Sequence, residues 1–414
     1  MAQQMKEYEE LILPNGIRIV HRQVSNTKIA HCGCILNIGS RDEKPHQQGI
    51  AHFWEHMAFK GTKKRKAYHI LSRVDSVGGE LNAYTTKEKI CFYASLLENH
   101  FEKAVELISD ITFNSIFPER EIKKERGVIL EEMSMYKDDP ADAIRDEFDE
   151  VIFQDHSLGY NILGTPESVK SFSQEDFQQF IKENLNTDQV IFSSVSALPF
   201  SKVAKIAQKY LSDIPTYQSK RKRKPFESFA PRQIISNKPI SQAHCIVGTT
   251  SFSIHDPNRI PFFLLVNLLG GPGMNSRLNL GIREKYGFVY GIDASVTAYQ
   301  DTGLFLVNFA TERKTLERCV KLLLKELKKL RETPLGSMQL HQAKQQLVGQ
   351  LAMSEESNLG FMLMMGKSIL DLGRVETLNE VLDKIHAVTA QDIIDLANEI
   401  FPEERLSMLT YLPE

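Results

Sequence analysis

Ala30-His31-Cys32 sits in an alternating apolar stretch that reads as a strand, and 213 residues later Ala243-His244-Cys245 sits in another. Further motifs recur in the same order at offsets of 213 to 216. Tyr84 to Glu88 precedes the strand-like Ile90 to Ala94, as Thr297 to Asp301 precedes Leu304 to Val307. The spacing Phe101, Ala104, Val105, Ile108 puts an apolar stripe on one helix face, and Leu316, Cys319, Val320, Leu323 repeats it. Ser173 with Asp176 opens the run Phe177 to Leu185, and Thr389 with Asp392 opens Ile393 to Ile400, both as capping-box starts. Each run leads into a closing strand, Val190 to Val195 and Leu406 to Leu412. Each half therefore reads as early strands, a helix, more strands, a helical block and a last strand. The prediction is an α+β fold of two tandem homologous domains, each built in layers.

A chain of 414 residues is too long for one ordinary core, which agrees with two domains. The first is expected over 1–216 and the second over 233–414, with 217–232 as a polar, basic linker. Within it Lys220 to Lys224 reads as a solvated run of charge. Asn15-Gly16 between two apolar stretches marks an opening hairpin. A composition 42% hydrophobic and 25% charged, with no apolar run of about 18 residues, excludes a transmembrane helix. The net charge of -3 supplies no field to draw nucleic acid or an anionic membrane, so neither is an expected partner. Five cysteines, with Cys32 and Cys34 in a strand, read as reduced thiols in a reducing compartment. Met1 to Glu10 lacks the pattern of a signal or transit peptide. A bacterial cytoplasm is the expected location, with the mitochondrial matrix as the alternative.

His52-Phe53-Trp54-Glu55-His56 carries the chemistry. Residues four apart on a helix lie one turn above each other, so both imidazoles can reach one ion, with Glu55 close to the same face. Two imidazoles and one carboxylate, with a position left for water, form a ligand set that suits zinc. The segment Glu119 to Met135 offers the third ligand, with Glu125 and Glu132 two turns apart on one face. Val128 and Ile129 between them suggest that this face is buried. At the repeat offset of 213, His52, Glu55 and His56 correspond to Leu265, Leu268 and Leu269. The second half thus has no metal site.

The chain resembles the pitrilysin-type inverzincin metallopeptidases, especially short members similar to the mitochondrial processing peptidase beta subunit. The resemblance rests on Gly49 to Thr62, which contains HxxEH and looks like the family's signature well beyond it, and covers nearly the whole chain. It implies two homologous domains closing as a clamshell, and a zinc site completed by Glu132, with Glu131 as the neighbouring alternative. Glu125 would support the site without binding the ion. Arg283 and Tyr290 match a family pair from the second half, implying a guanidinium for a substrate carbonyl and a phenol for the developing oxyanion. Gly79 to Tyr84 resembles the family's edge strand, where Asn82 and Ala83 would hold an extended peptide by main-chain hydrogen bonds.

The implied activity is zinc-dependent endopeptidase hydrolysis of unfolded peptides or short polypeptides by Glu-activated metal-bound water, with Glu55 moving the proton. One zinc ion per chain is expected. Short members usually pair, which implies a homodimer or a homologous partner chain. A noncatalytic scaffold or partner subunit, and a mitochondrial presequence-processing subunit, are the competing readings.

Overall fold

The computed structural model describes residues 8–227 and 229–414. Of the amino-terminal stretch read for targeting signals, only Tyr8, Glu9 and Glu10 are among them. The chain opens with β1 (Glu9–Ile12), β2 (Arg18–Gln23) and β3 (Ile29–Leu36). Then come α1 (Ile50–Ala58), α2 (Ala67–Asp75), β4 (Glu80–Thr85), β5 (Ile90–Leu97), α3 (Phe101–Phe113), α4 (Glu119–Asp138) and α5 (Pro140–Ile152). After α6 (Pro166–Ser171), α7 (Gln174–Asn184), β6 (Val190–Ser196) and α8 (Phe200–Leu211), the second round begins with β7 (Gln233–Lys238) and β8 (Ala243–Ser251). It continues through α9 (Arg259–Gly270), β9 (Val289–Ala298), β10 (Gly303–Thr311), α10 (Leu316–Glu332) and α11 (Ser337–Glu355). It closes with α12 (Asn358–Leu372), α13 (Leu378–Ala387), α14 (Ala390–Ile400) and β11 (Ser407–Pro413).

The two halves build two sheets, in the orders β1-β2-β6-β3-β5-β4 and β7-β11-β8-β10-β9. Their registers repeat each other. Cys34 pairs with Phe192 and Phe192 with Ile19, as Val247 pairs with Met408 and Met408 with Gln233. Asn15-Gly16 turns the β1-β2 hairpin, with Gly16 at φ 93° in the left-handed region that glycine tolerates. The α+β prediction holds, and the duplication holds for five strands of each sheet, β1 having no counterpart in the second.

The compact units, however, are not the contiguous stretches 1–216 and 233–414. One unit comprises the chain up to Met133, Tyr160–Lys224 and Ser354–Val375; the other comprises Ser134–Gly159, Pro225–Met353 and Glu376–Glu414. In the first, α3 and α8 lie with α1 in the core on one sheet face, while α12 covers the other face. Phe361, Met362, Met365 and Ile369 of α12 pack on Val20, Ile191 and Val195, and Ser193 Oγ donates to the Met362 carbonyl at 2.6 Å. In the second, α9, α10 and α14 share the main core, and α5 packs on β8 and β11 through Ile144, Phe148 and Val151. Each unit thus takes one helix from the opposite half of the sequence. Both strand faces are apolar in these sheets, so each needs helices on both sides.

The linker differs from expectation as well. Lys220, Lys222 and Lys224 are exposed, but Arg221 and Arg223 turn inward between them. Both pair with Asp42, whose side chain is fully buried, at 2.9 Å, and Arg223 also donates to the Glu88 carbonyl at 3.0 Å. Arg41 pairs with Glu88 at 2.6 Å and donates to the Lys224 carbonyl at 2.9 Å. The run is half of a buried ion network because Asp42 and Glu88 supply the countercharge that lets guanidinium groups leave water.

All five cysteines are unpaired and buried, and burial pushes the Cys34 thiol up to about 12. Among the described residues no helix is long and apolar enough to cross a membrane.

Candidate metal centre

Helix α1 is placed by its first turn. Gly49 precedes it at φ 93°, where a Cβ would meet the Leu163 carbonyl at 2.4 Å. The buried Glu43 carboxylate accepts from the Gly49 and Ala51 amides at 2.9 Å each, satisfying helix N-terminal donors that would otherwise have no partner. Phe53, Trp54 and Met57 then anchor the helix in the core, with Trp54 against Phe92 and Phe180. His52, Glu55 and His56 are left on the remaining face.

Helix α4 crosses that face. Its buried residues are Ile122, Glu125, Ile129 and Met133, a stripe that carries Glu132 alongside. Glu131 is exposed, turned about 100° away, and Val128, expected in the buried face, is 51% exposed. One ligand atom from each of His52, His56 and Glu132 lies within 4.8 Å of the others, with His52 Nε2 3.7 Å and His56 Nε2 3.4 Å from the Glu132 oxygens.

The protonation pattern suits a cation. Burial, helped by His56, pulls the His52 pKa down to about 3, so the ring is neutral and can offer a lone pair. His56 Nδ1 donates to Glu125 at 3.0 Å, which leaves Nε2 as the acceptor facing Glu132. Burial raises Glu125, but the bonds from His56 and from Lys60, at 2.7 Å, outweigh it and hold the carboxyl below its usual range. Glu132 is raised by burial, as a carboxylate is when no cation compensates it. Zinc takes such N and O ligands at about 2 Å, so one ion's ligand atoms lie within roughly 4 Å of each other. The residues present therefore fit the metal.

Glu55 stands beside this cluster and outside it. Its Oε2 accepts from the Thr85 hydroxyl at 2.6 Å, and burial raises its pKa. Thr85 ends β4, the strand at the edge of its sheet, where Asn82 is exposed and Ala83 half-buried. Neither Thr85 nor Lys60 was singled out by the sequence. Lys60 lies one turn beyond His56, a spacing that could have flagged it, whereas nothing local marks Thr85.

Arg283 and Tyr290 lie in the second unit. Arg283 is on a π-helical turn and Tyr290 is the second residue of β9. Tyr290 is 92% exposed, and the Arg283 guanidinium lies 5.9 Å from its ring centroid. The structure thus brings these two together.

Residues 18–166 match the insulinase description of peptidase family M16, and residues 171–347 match the peptidase M16 inactive domain. The chain belongs to the M16 peptidase family. Among its relatives is the zinc protease YmxG of Bacillus subtilis, 33% identical over 94% of this chain and 95% of that protein. The mitochondrial-processing peptidase subunit beta of Saccharomyces cerevisiae is 27% identical, over 96% and 89%. A protease from Helicobacter pylori has the same fold, with TM-score 0.89 at 20% identity over 99% of this chain and all of that one. The metal cluster falls in the insulinase match, and the leucines that replace it, Leu265, Leu268 and Leu269, fall in the match described as inactive. M16 membership and relatives named as zinc proteases point to zinc as the metal.

Proposed function

We propose that this chain is a zinc endopeptidase that hydrolyses unfolded peptides or short polypeptides. The observation that carries the reading is the convergence of His52, His56 and Glu132 on one point, with a half-buried carboxylate, Glu55, held next to them by a different partner. His52, His56 and Glu132 would hold one zinc ion, and Glu125 would fix the His56 ring so that Nε2 faces the ion. Bound zinc supplies Lewis acidity toward a substrate carbonyl and toward water.

The protein's own groups do the rest. Glu55, whose carboxyl is raised by burial, takes a proton from the attacking water and returns it to the leaving amine. The edge strand at Asn82 and Ala83 offers main-chain donors and acceptors to an extended peptide, which favours unfolded substrates. For Arg283 and Tyr290 the proposal keeps the roles of carbonyl donor and oxyanion donor, supported by the exposure of Tyr290 and by a guanidinium 5.9 Å from its ring centroid. A homodimer, and a cytoplasmic location suggested by five unpaired thiols, belong to the same proposal.

The test is cleavage of an unstructured fluorogenic peptide by the purified chain. Activity should vanish on chelation and return with zinc. Glu55→Gln should keep its zinc while losing about 10²- to 10⁴-fold in kcat, whereas Glu132→Gln should lose the metal. A zinc-loaded chain that cleaves none of a varied peptide set would sink the enzyme reading in favour of a noncatalytic subunit.

A further inference from the structure

Among the described residues β4 has one edge unpaired, and its two faces differ. Leu81 and Ala83 pack on the core that holds α1, and Thr85 bonds Glu55, so these residues face the side of the candidate metal centre. Alternation turns Glu80, Asn82 and Tyr84 to the opposite face. That face belongs to α12, since Tyr93, which pairs with Asn82, packs on the α12 cluster.

Helix α12 brings a charge to this end of the strand. Lys367 is half-buried, and its ammonium lies 4.8 Å from the centroid of the Tyr84 ring. Asp371, one turn further along α12, is engaged by Lys89 at 2.6 Å. Among the described residues Lys367 itself has no ion-pair partner. Burial lowers its pKa, and Lys89 adds to that effect against Cys91 and Asp371. A partly desolvated cation without a counterion favours an anion brought against it. The other charge on this face of β4 is the exposed Glu80, four residues or about 13 Å away along the strand.

A peptide added to the free edge continues the sheet. Its residue opposite Tyr84 turns its side chain to the α12 face, with a Cβ about 5 Å from that of Tyr84. The residues on either side of it in the peptide face the Glu55 side, so this position adjoins the candidate catalytic centre. We propose that Lys367 determines specificity: with Tyr84 it forms a subsite for an acidic side chain of the peptide substrate, on the sheet face opposite the metal centre. The inference rests on the peptidase reading only in placing a peptide on the β4 edge.

The probes are extended peptides, acetylated, amidated and carrying a neutral fluorophore, which differ only in a central Asp, Asn or Lys and hold no other charge. Affinity is read by anisotropy with zinc-loaded Glu55→Gln protein, which leaves the peptide intact. Cleavage positions are read by mass spectrometry with the parent. The Asp peptide should bind about tenfold or more tighter than the Asn peptide, and the parent should cut it at a fixed spacing from Asp. Lys367→Gln should abolish the Asp advantage, as should Lys367→Met, which keeps an apolar stem over Tyr84. Lys367→Glu should transfer the advantage to the Lys peptide, an exchange that no folding defect produces. If the parent cuts no peptide while the Asp advantage in binding stands and is lost with Lys367, the peptidase reading fails and the subsite remains. An Asp advantage that is absent, or that survives in Lys367→Gln, overturns the proposal whether or not cleavage occurs. Cleavage at no fixed spacing from Asp, or no saturable binding up to about 1 mM, overturns it as well.

Discussion

Thr85 holds one oxygen of Glu55 and is not one of the three candidate ligands, so it is a positioning residue whose effect should fall on turnover alone. Thr85→Val keeps the shape and the strand preference but removes the donor. We expect kcat to fall about tenfold to a hundredfold, the scale of a misplaced reacting group, with KM and zinc content unchanged. Thr85→Ser should restore most of the rate. Zinc loss or a raised KM in Thr85→Val would mean that the threonine supports the strand and not the base. The contrast with the ligands shows what a sequence displays. His52, Glu55 and His56 are legible because helical spacing alone puts them together. Choosing Glu132 over Glu131 requires the rotation of α4, which its buried stripe Ile122, Glu125, Ile129, Met133 discloses once known. Thr85 was illegible because its bond to Glu55 exists only after β4 is laid beside α1, a packing that no local spacing encodes.

At the scale of elements, the segment from Ser219 to Lys224 is misread when charge is counted without its partners. Arg221 and Arg223 alternate with exposed lysines, as an extended chain lying on a surface dictates. Their common acceptor, Asp42, is 181 residues from Arg223. Burial pulls the Arg221 guanidinium down despite Asp42, while for Arg223 the carboxylates of Asp42 and Glu88 outweigh burial and raise it. Removing the shared anion leaves two guanidinium groups without their main countercharge. Asp42→Asn should therefore cost about 3–5 kcal/mol, the range for breaking a buried ion pair from one side. Lys222→Ala, in the same run but exposed, should change stability by less than about 0.5 kcal/mol. Urea midpoints of the two variants separate a bolted segment from a solvated linker, since the latter predicts no difference between them.

For the molecule as a whole, the duplication was legible and the exchange of helices was not. Strands declare themselves by alternation and their order by repeat, so both sheets could be anticipated. An apolar helix stripe, by contrast, says that a helix must be buried without saying against which sheet, and α5 and α12 each serve the unit opposite their place in the sequence. The consequence can be measured. Burying Phe361, Met362, Met365 and Ile369 at about 1.5–3 kcal/mol each contributes roughly 6–12 kcal/mol as an upper estimate. That equals the whole net stability of an ordinary domain, about 5–15 kcal/mol. A fragment of residues 1–216, cut where the sequence places the domain boundary, also leaves Ser193 without its Met362 acceptor and Asp42 without its arginines. It should bind a hydrophobic dye and melt without a cooperative transition. Residues 1–133, 160–224 and 354–375 joined by flexible linkers should instead melt cooperatively, because the first sheet then has the helices of its own unit on both faces. Cooperative melting of the 1–216 fragment alone would show that α12 adds to a unit already stable without it, and the ledger for that sheet face would have to be redrawn.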